Sequence, residues 1–331
     1  MNFMEFLTAD WLGTPAWFWL AFIGLVVLLT AFDLGVLNRE NKEMGIGESL
    51  KLSAFYISIA LAFGVWVWLV KGGEAGLQYY TGFFIEKALS IDNIFVISLI
   101  FTTFAIPPRY QYRALLWGIV AVIVLRGIMI AGGAALVNEY GWVLYVFAAF
   151  LVFTGVKMLF ASDTPMDVKG NPVVQWLSRH IPLTHELHGE RFFVKLPDSK
   201  TGKLALTATP LFLALVVINL ADLVFAVDSV PAIFAITTDT FIVYTSNIMA
   251  ILGLRALYFA LSAMVHRFHY LKYALALVLV FIGSKIFVAD FILGGDKFPP
   301  LVSLGVTVAL IAGGVIWSLV KTKDEPLVIE K

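Results

Sequence analysis

YVFAAFLVFTGVKMLFA, residues 145–161, occurs a second time near the other end of the chain as YALALVLVFIGSKIFVA, residues 273–289. Eight of the seventeen positions are identical, including a Phe-x-Gly-x-Lys core. Both copies are apolar enough, and nearly long enough alone, to cross a bilayer as a helix. The duplication extends upstream. IVAVIVLRGI (119–128) matches IMAILGLRAL (248–257) at four of ten positions, setting Arg126 opposite Arg255. EKALSIDNIFV (86–96) then lies opposite DLVFAVDSVPA (222–232), where Asp92 and Asp228 coincide and an acid-x5-acid spacing recurs as Glu86/Asp92 and Asp222/Asp228. Each copy holds three spans, and an odd number makes the second copy enter the membrane from the opposite side. The expectation is an inverted-topology repeat, with a pseudo-two-fold axis in the membrane plane and a substrate site near the midplane.

The composition agrees with this reading. Of 331 residues, 60% are hydrophobic and 14% charged, far from the mix of a soluble domain. An all-α polytopic membrane protein is expected, with about nine transmembrane helices near 16–37, 50–70, 77–103, 114–137, 141–160, 206–236, 241–263, 272–292 and 300–320. The inverted repeats are spans 3-5 and 6-8. The chain divides into an N-terminal two-helix segment (1–76), repeat 1 (77–160), a cytoplasmic connector (161–205), repeat 2 (206–293), and a final helix with a cytoplasmic tail (294–331).

Basic residues orient it. With the N-terminus outside and the C-terminus cytoplasmic, sixteen of the twenty-three Lys and Arg fall in inner loops and two, Lys71 and Lys297, in outer loops. The expected location is the bacterial inner (plasma) membrane. MNFMEFLTADWLGTP lacks the basic n-region of a cleavable signal peptide, so the first span is expected to be retained. Zero net charge gives no reason to expect nucleic acid as a partner, and the sequence names no protein partner. The absence of cysteine removes disulfides, thiolate metal sites and thiol redox chemistry. In the connector, 171–181 reads as a short amphipathic helix and 191–207 as a hairpin around a Pro-Asp-Ser turn. The connector is expected to lie on the membrane surface.

Charges inside spans carry the functional signal. Four acids, Glu86, Asp92, Asp222 and Asp228, would cost about 10–14 kcal/mol if each were unpaired in lipid, comparable with the stability of a whole domain. Arg126 and Arg255 are the charge-balancing partners expected for them. Four acids against two arginines leave an excess that a divalent cation or two protons would neutralise. Residues six apart on a straight helix point about 120° apart, so neither acid pair converges unaided. By contrast Glu86 and Asn93, Asn219 and Asp222, and Asp222 and Ser229 share a face. Pro231 favours a break in span 6. The candidate metal ligands are Glu86, Asp92, Asn93, Asn219, Asp222, Asp228 and Ser229, with Ser246 and Asn247 as further oxygens. An all-oxygen set suits Mn²⁺, Mg²⁺ or Ca²⁺. His185/His188 and His266/His269 are read as solvent-facing. Lys87 pairs elsewhere or snorkels, Lys157 and Lys285 snorkel, Asp290 is on the surface, and Asp33 caps its helix or pairs with Arg39.

Having these residues in view, the chain resembles the TerC family of bacterial integral membrane proteins, including its Alx branch. The likeness is carried by IEKALSIDNIFV (85–96), LADLVFAVDSVPAIFAITTD (220–239), TSNIMAILGLRALYF (245–259) and LVFIGSKIFVAD (279–290). The family also looks similar to LysE-type exporters. The resemblance implies Mn²⁺ export with metal residues at Glu86, Asp92, Asp222 and Asp228. Where the family often has Glu, this chain has Asn219, which keeps an oxygen and loses a charge. The expected function is a secondary transporter exporting a divalent metal cation, with proton antiport as one coupling. No permanently bound cofactor and no enzymatic activity are expected; the partners are the transported ion and the lipid bilayer. The alternatives are a membrane scaffold or chaperone supplying Mn²⁺ to secreted proteins, an intramembrane aspartyl protease using Asp92 and Asp228, and, remotely, a retinal pigment on Lys285.

Overall fold

The computed structural model describes residues 2–37, 45–160, 175–176, 181–184, 186–197, 204–262, 268, 270–294 and 298–322, with Phe3, residues 34–37 and Asp92 described by backbone alone. The expected helix at 171–181 lies outside the described residues except for Gln175 and Trp176, which are helical, and Ile181, which is in a bend. So do His185, His266, His269, Arg39 and the turn of the expected hairpin.

A short helix α1 (Phe3–Thr8) and a two-residue ribbon, β1 (Asp10–Trp11) with β2 (Thr14–Pro15), precede the long helices. These are α2 (Ala16–Leu37), α3 (Ile46–Lys71), α4 (Gly73–Thr103), α5 (Pro108–Glu139) and α6 (Val143–Phe160). An antiparallel hairpin follows, β3 (Phe193–Pro197) with β4 (Leu204–Ala208), in register Lys195 to Leu206. The chain then forms α7 (Pro210–Phe234), α8 (Thr240–Ile251), α9 (Leu254–Leu261), α10 (Leu271–Phe291) and α11 (Pro300–Lys321). Local chemistry sets the starts. Pro occupies the first turn of α5, α7 and α11, where its missing N–H is no loss. The Asp239 side chain accepts hydrogen bonds from the N–H groups of Phe241 (3.0 Å) and Ile242 (3.2 Å), capping α8.

Among the described residues, eight stretches are long and apolar enough to cross a membrane. Helix α4 is not one of the eight; it holds 31 residues but carries Glu74, Glu86, Lys87 and Asp92. The stretch 240–261 is the most central, with 89% of its window buried, against 17% for α11 at the periphery. That central stretch is interrupted. Helix α8 ends at Ile251 and α9 begins at Leu254, with Gly253 between them at φ +81°, a left-handed conformation that glycine adopts without strain.

The expected break at Pro231 is therefore corrected. Helix α7 runs through Pro231 to Phe234. A proline three residues from a C-terminus removes only one late hydrogen bond, and α7 packs on α4, α5 and α6.

The most extensive helix pairing is α6 with α10, and it is reciprocal. A Cβ on Gly155 would meet the Ala276 carbonyl at 2.6 Å and Val280 at 2.7 Å; a Cβ on Gly283 would meet the Ala148 carbonyl at 2.6 Å and Val152 at 2.9 Å. The helices cross backbone to backbone. Replacing either glycine by valine overpacks the crossing and is expected to cost about 1–3 kcal/mol, read as a fall in thermal unfolding temperature in detergent. Gly132→Ala, where nothing lies within 4 Å, should leave that temperature unchanged or raise it; equal losses in all three would contradict the contact.

Candidate ion-binding site

Four helices bring one polar cluster together. Helix α4 supplies Glu86, α5 Arg126, α7 Asp222 and Ser229, and α8 Asn247, all buried. Arg126 Nε donates to Asp222 Oδ2 (3.1 Å) and Nη2 to Asp222 Oδ1 (2.9 Å), a two-bond fork that suits the planar guanidinium. Its Nη1 faces a wider set of acceptors: Glu86 Oε1 in a short ion pair, Asn247 Oδ1 at 2.9 Å and Ser229 Oγ at 3.3 Å. Asn247 Nδ2 closes the network on Glu86 Oε2 at 3.1 Å. Two carboxylates thus share one guanidinium, leaving a formal excess of one negative charge if both are ionised. Asp222 and Ser229, seven apart, meet the same arginine, as their shared helix face requires.

Beside this cluster lies a cavity of about 290 Å³. Glu86, Asn93, Arg126, Asp228 and Ser229 line it, and α6 contributes Thr154 and Lys157. Asp222 is absent from that wall; with Asn93 it borders a second space of about 30 Å³ lined mostly by apolar side chains. The six-residue offset between Asp222 and Asp228 accounts for this, since α7 turns the first toward Arg126 on α5 and the second toward α6. Among the described residues no three acidic or histidine side chains gather tightly enough to hold a metal by themselves. The side chain of Asp92 lies outside the described residues, although its backbone is helical within α4.

Other expected site residues sit elsewhere. Asn219 turns back on its own helix, donating from Nδ2 to the Leu215 carbonyl at 2.8 Å, and is not part of the cluster. Arg255 does not balance the repeat acids: it is buried in an ion pair with Asp33 of α2, its guanidinium 3.9 Å from the Tyr112 ring centre. That also corrects Asp33, whose carboxylate faces Arg255. The Asp33 carbonyl accepts from Tyr112 Oη at 3.0 Å, so α2, α5 and α9 are tied at one point. Lys285 does not snorkel; it is buried and its Nζ donates to Ser303 Oγ at 3.3 Å. Asp290 is exposed, as expected, and accepts a short hydrogen bond from Tyr145.

One interhelical contact escaped sequence reasoning. Lys87 Nζ donates to the Ala250 carbonyl at 3.1 Å. In an unbroken helix the N–H of Leu254 would fill that acceptor; the interruption at Leu252–Gly253 frees it. The signal available was the glycine in ILGLRAL.

Long apolar helices around a buried carboxylate–guanidinium network define a multi-pass membrane protein. Residues 71–325 match the integral membrane protein TerC family, and the chain belongs to it. A Rickettsia felis protein known only as an uncharacterized membrane protein is 46% identical over 303 residues, covering 92% of this chain and 97% of its own length. A similarly named Myxococcus xanthus protein is 43% identical over 314 residues, 95% of each chain. A Salmonella typhi protein provisionally named membrane-bound redox modulator Alx is 42% identical over 308 residues, 90% of this chain and 92% of its own. No solved structure matches.

Arg126→Met would leave Glu86 and Asp222 buried without a counter-charge and is expected to destabilise by about 3–5 kcal/mol. Adding Glu86→Gln and Asp222→Asn to it should recover part of that loss in detergent unfolding. Equal destabilisation of the single and triple variants would show that the charges do not interact.

Proposed function

We propose that this chain is a secondary transporter that exports a divalent cation, Mn²⁺ first among the hard ions its oxygen ligands suit. The observation that carries the reading is the 290 Å³ cavity bordered by Glu86, Asn93, Asp228 and Ser229, with one guanidinium shared between two carboxylates alongside it. In this scheme the ion sits among those four side chains. Arg126 keeps its fork on Asp222 and gives up the Nη1 link to Glu86, freeing a carboxylate oxygen for the ion. Exchange against protons is the coupling this scheme favours, because a carboxylate can carry either.

The architecture we attach to it has nine spans, counting α4, with the N-terminus outside and the C-terminus in the cytoplasm of a bacterial inner membrane. Helices α4–α6 and α7–α10 form the two inverted repeats, a layout similar to LysE-type exporters. The reciprocal crossing of Gly155 and Gly283 supports a two-fold relation, since Gly155 meets the residues of α10 that correspond to those of α6 met by Gly283. Two repeats rocking about the bound ion would alternate its access.

The name of the Alx relatives suggests a second outlook. With no cysteine in 331 residues there is no thiol here to exchange, so an influence on redox state would run through metal supply. A scaffold handing Mn²⁺ to secreted proteins would bind the ion without moving it.

Proteoliposomes separate these readings. Wild-type protein is expected to move Mn²⁺ down an imposed gradient, reported by an internal metal-sensitive dye. Glu86→Gln and Asp228→Asn should each lower the initial rate at least tenfold, while Glu139→Gln at the exposed end of α5 should not. Normal flux in both site variants would overturn the assignment; Mn²⁺ binding with no flux in the wild type would favour the scaffold.

A further inference from the structure

Away from the buried cluster, the described part of the connector and the first turns of α5 enclose an open groove of about 1000 Å³. Its polar lining carries Arg113, Arg191 and Lys195, with Glu190 as the one carboxylate among the described residues, itself 3.5 Å from Arg113. His188 adds a ring whose Nε2 is buried without a hydrogen-bond partner. The groove therefore presents more cationic donors than its own acid can occupy, a wall suited to an anion with several oxygens.

Beside Lys195 the groove is also lined by apolar side chains, Phe193 and Leu206 of the β3–β4 hairpin. Strand alternation puts Val194 and Thr207 inside and turns Phe193, Lys195 and, across the register, Leu204 and Leu206 outward. Phe193 is 40% exposed, Leu206 59% and Leu204 70%, an unusual row for a two-stranded ribbon standing in water. The hairpin is also anchored at the membrane boundary. Thr209 links β4 directly to α7, its N–H donating to the Phe192 carbonyl at 3.0 Å, and the Phe193 ring lies 4.5 Å from Phe212 in the first turn of α7.

Cations interleaved with exposed apolar side chains, Lys195 lying directly across the register from Leu206, and a place at the end of a membrane helix together describe a site for an amphiphile. We propose that this groove binds an anionic phospholipid of the surrounding bilayer, its phosphate on Arg191, Lys195 and Arg113 and the upper part of an acyl chain against Phe193 and Leu206. A free phosphate or a nucleotide would use the cations and leave Phe193 and Leu206 in water, which is why the lipid is the favoured source of the anion. Basic residues beside a membrane are drawn to anionic headgroups, and an apolar face carried at the interface adds to that attraction.

The test uses the full chain in nanodiscs of phosphatidylethanolamine containing phosphatidylglycerol, with retained lipids counted by native mass spectrometry after release. Wild-type protein is expected to keep phosphatidylglycerol over phosphatidylethanolamine by at least fivefold. Arg191→Gln with Lys195→Gln should bring the ratio close to one, Arg191→Lys with Lys195→Arg should preserve it, and Leu206→Asn should lower it. Glycerol 3-phosphate or ATP in millimolar excess should leave the lipid in place. No preference in the wild type, an unchanged preference in the Gln pair, or ready displacement by either soluble phosphate would overturn the proposal. The thermal unfolding temperature guards against simple misfolding, and because these substitutions lie on exposed positions it should not change.

Discussion

One guanidinium holds the centre of this protein. Arg126 has under 2% of its surface exposed and touches α4, α7 and α8 from its place on α5. A buried charge of this kind is tolerated only when its donors are nearly all used, and here three of the nitrogens are committed to Glu86, Asp222, Ser229 and Asn247. Two of the helices that line the central cavity, α4 and α7, are therefore positioned by the same side chain that limits its charge. Moving either of them alters the electrostatics of the cavity, and changing the charge in the cavity alters how tightly the helices are held.

The surrounding polar contacts support this arrangement from its edges. Lys87 bridges α4 to the free carbonyl at the end of α8, and Arg255 joins α9 to α2 beneath the Tyr112 ring. At the opposite end Lys71 reaches Asp239 at 2.5 Å and Thr14 at 3.0 Å, pinning α3 to the start of α8. The interrupted stretch of 240–261 is thus clamped at its start, at its interruption and just beyond it, each time by a cation from a different helix or its own. A helix that lacks continuous backbone bonding depends on such external contacts to keep its place.

Much of this was legible from local periodicity. Glu86 and Asn93, and Asp222 and Ser229, share faces at a seven-residue spacing; the first pair lines one cavity and the second meets the same arginine, while the six-residue spacing of Asp222 and Asp228 separates them. What could not be read were partners chosen by distant packing. Asp33 lies outside the duplicated segments, so nothing in the repeat pattern points from Arg255 to it. Lys157 and Lys285 occupy matching positions, yet the first is exposed and the second covered by α11 at Ser303, because only one of the two helices has α11 against it at that point. Pro231 and Gly253 make the same lesson sharper. Proline near a helix end costs one bond, whereas Gly253, left-handed at φ +81° and with Tyr56 at 2.7 Å from its notional Cβ, stands where α8 and α9 are interrupted.

The crossing of α6 and α10 has a mechanical meaning. Where side chains interdigitate, two helices can slip by exchanging rotamers. At Gly155 and Gly283 the neighbours include main-chain carbonyls, which have no alternative rotamer to offer. Translation along the pair would drive Val152 and Val280 out of the notches the glycines provide, while swivelling about the contact would disturb little. The contact resists sliding of one helix along the other more than it resists rotation of one about the other.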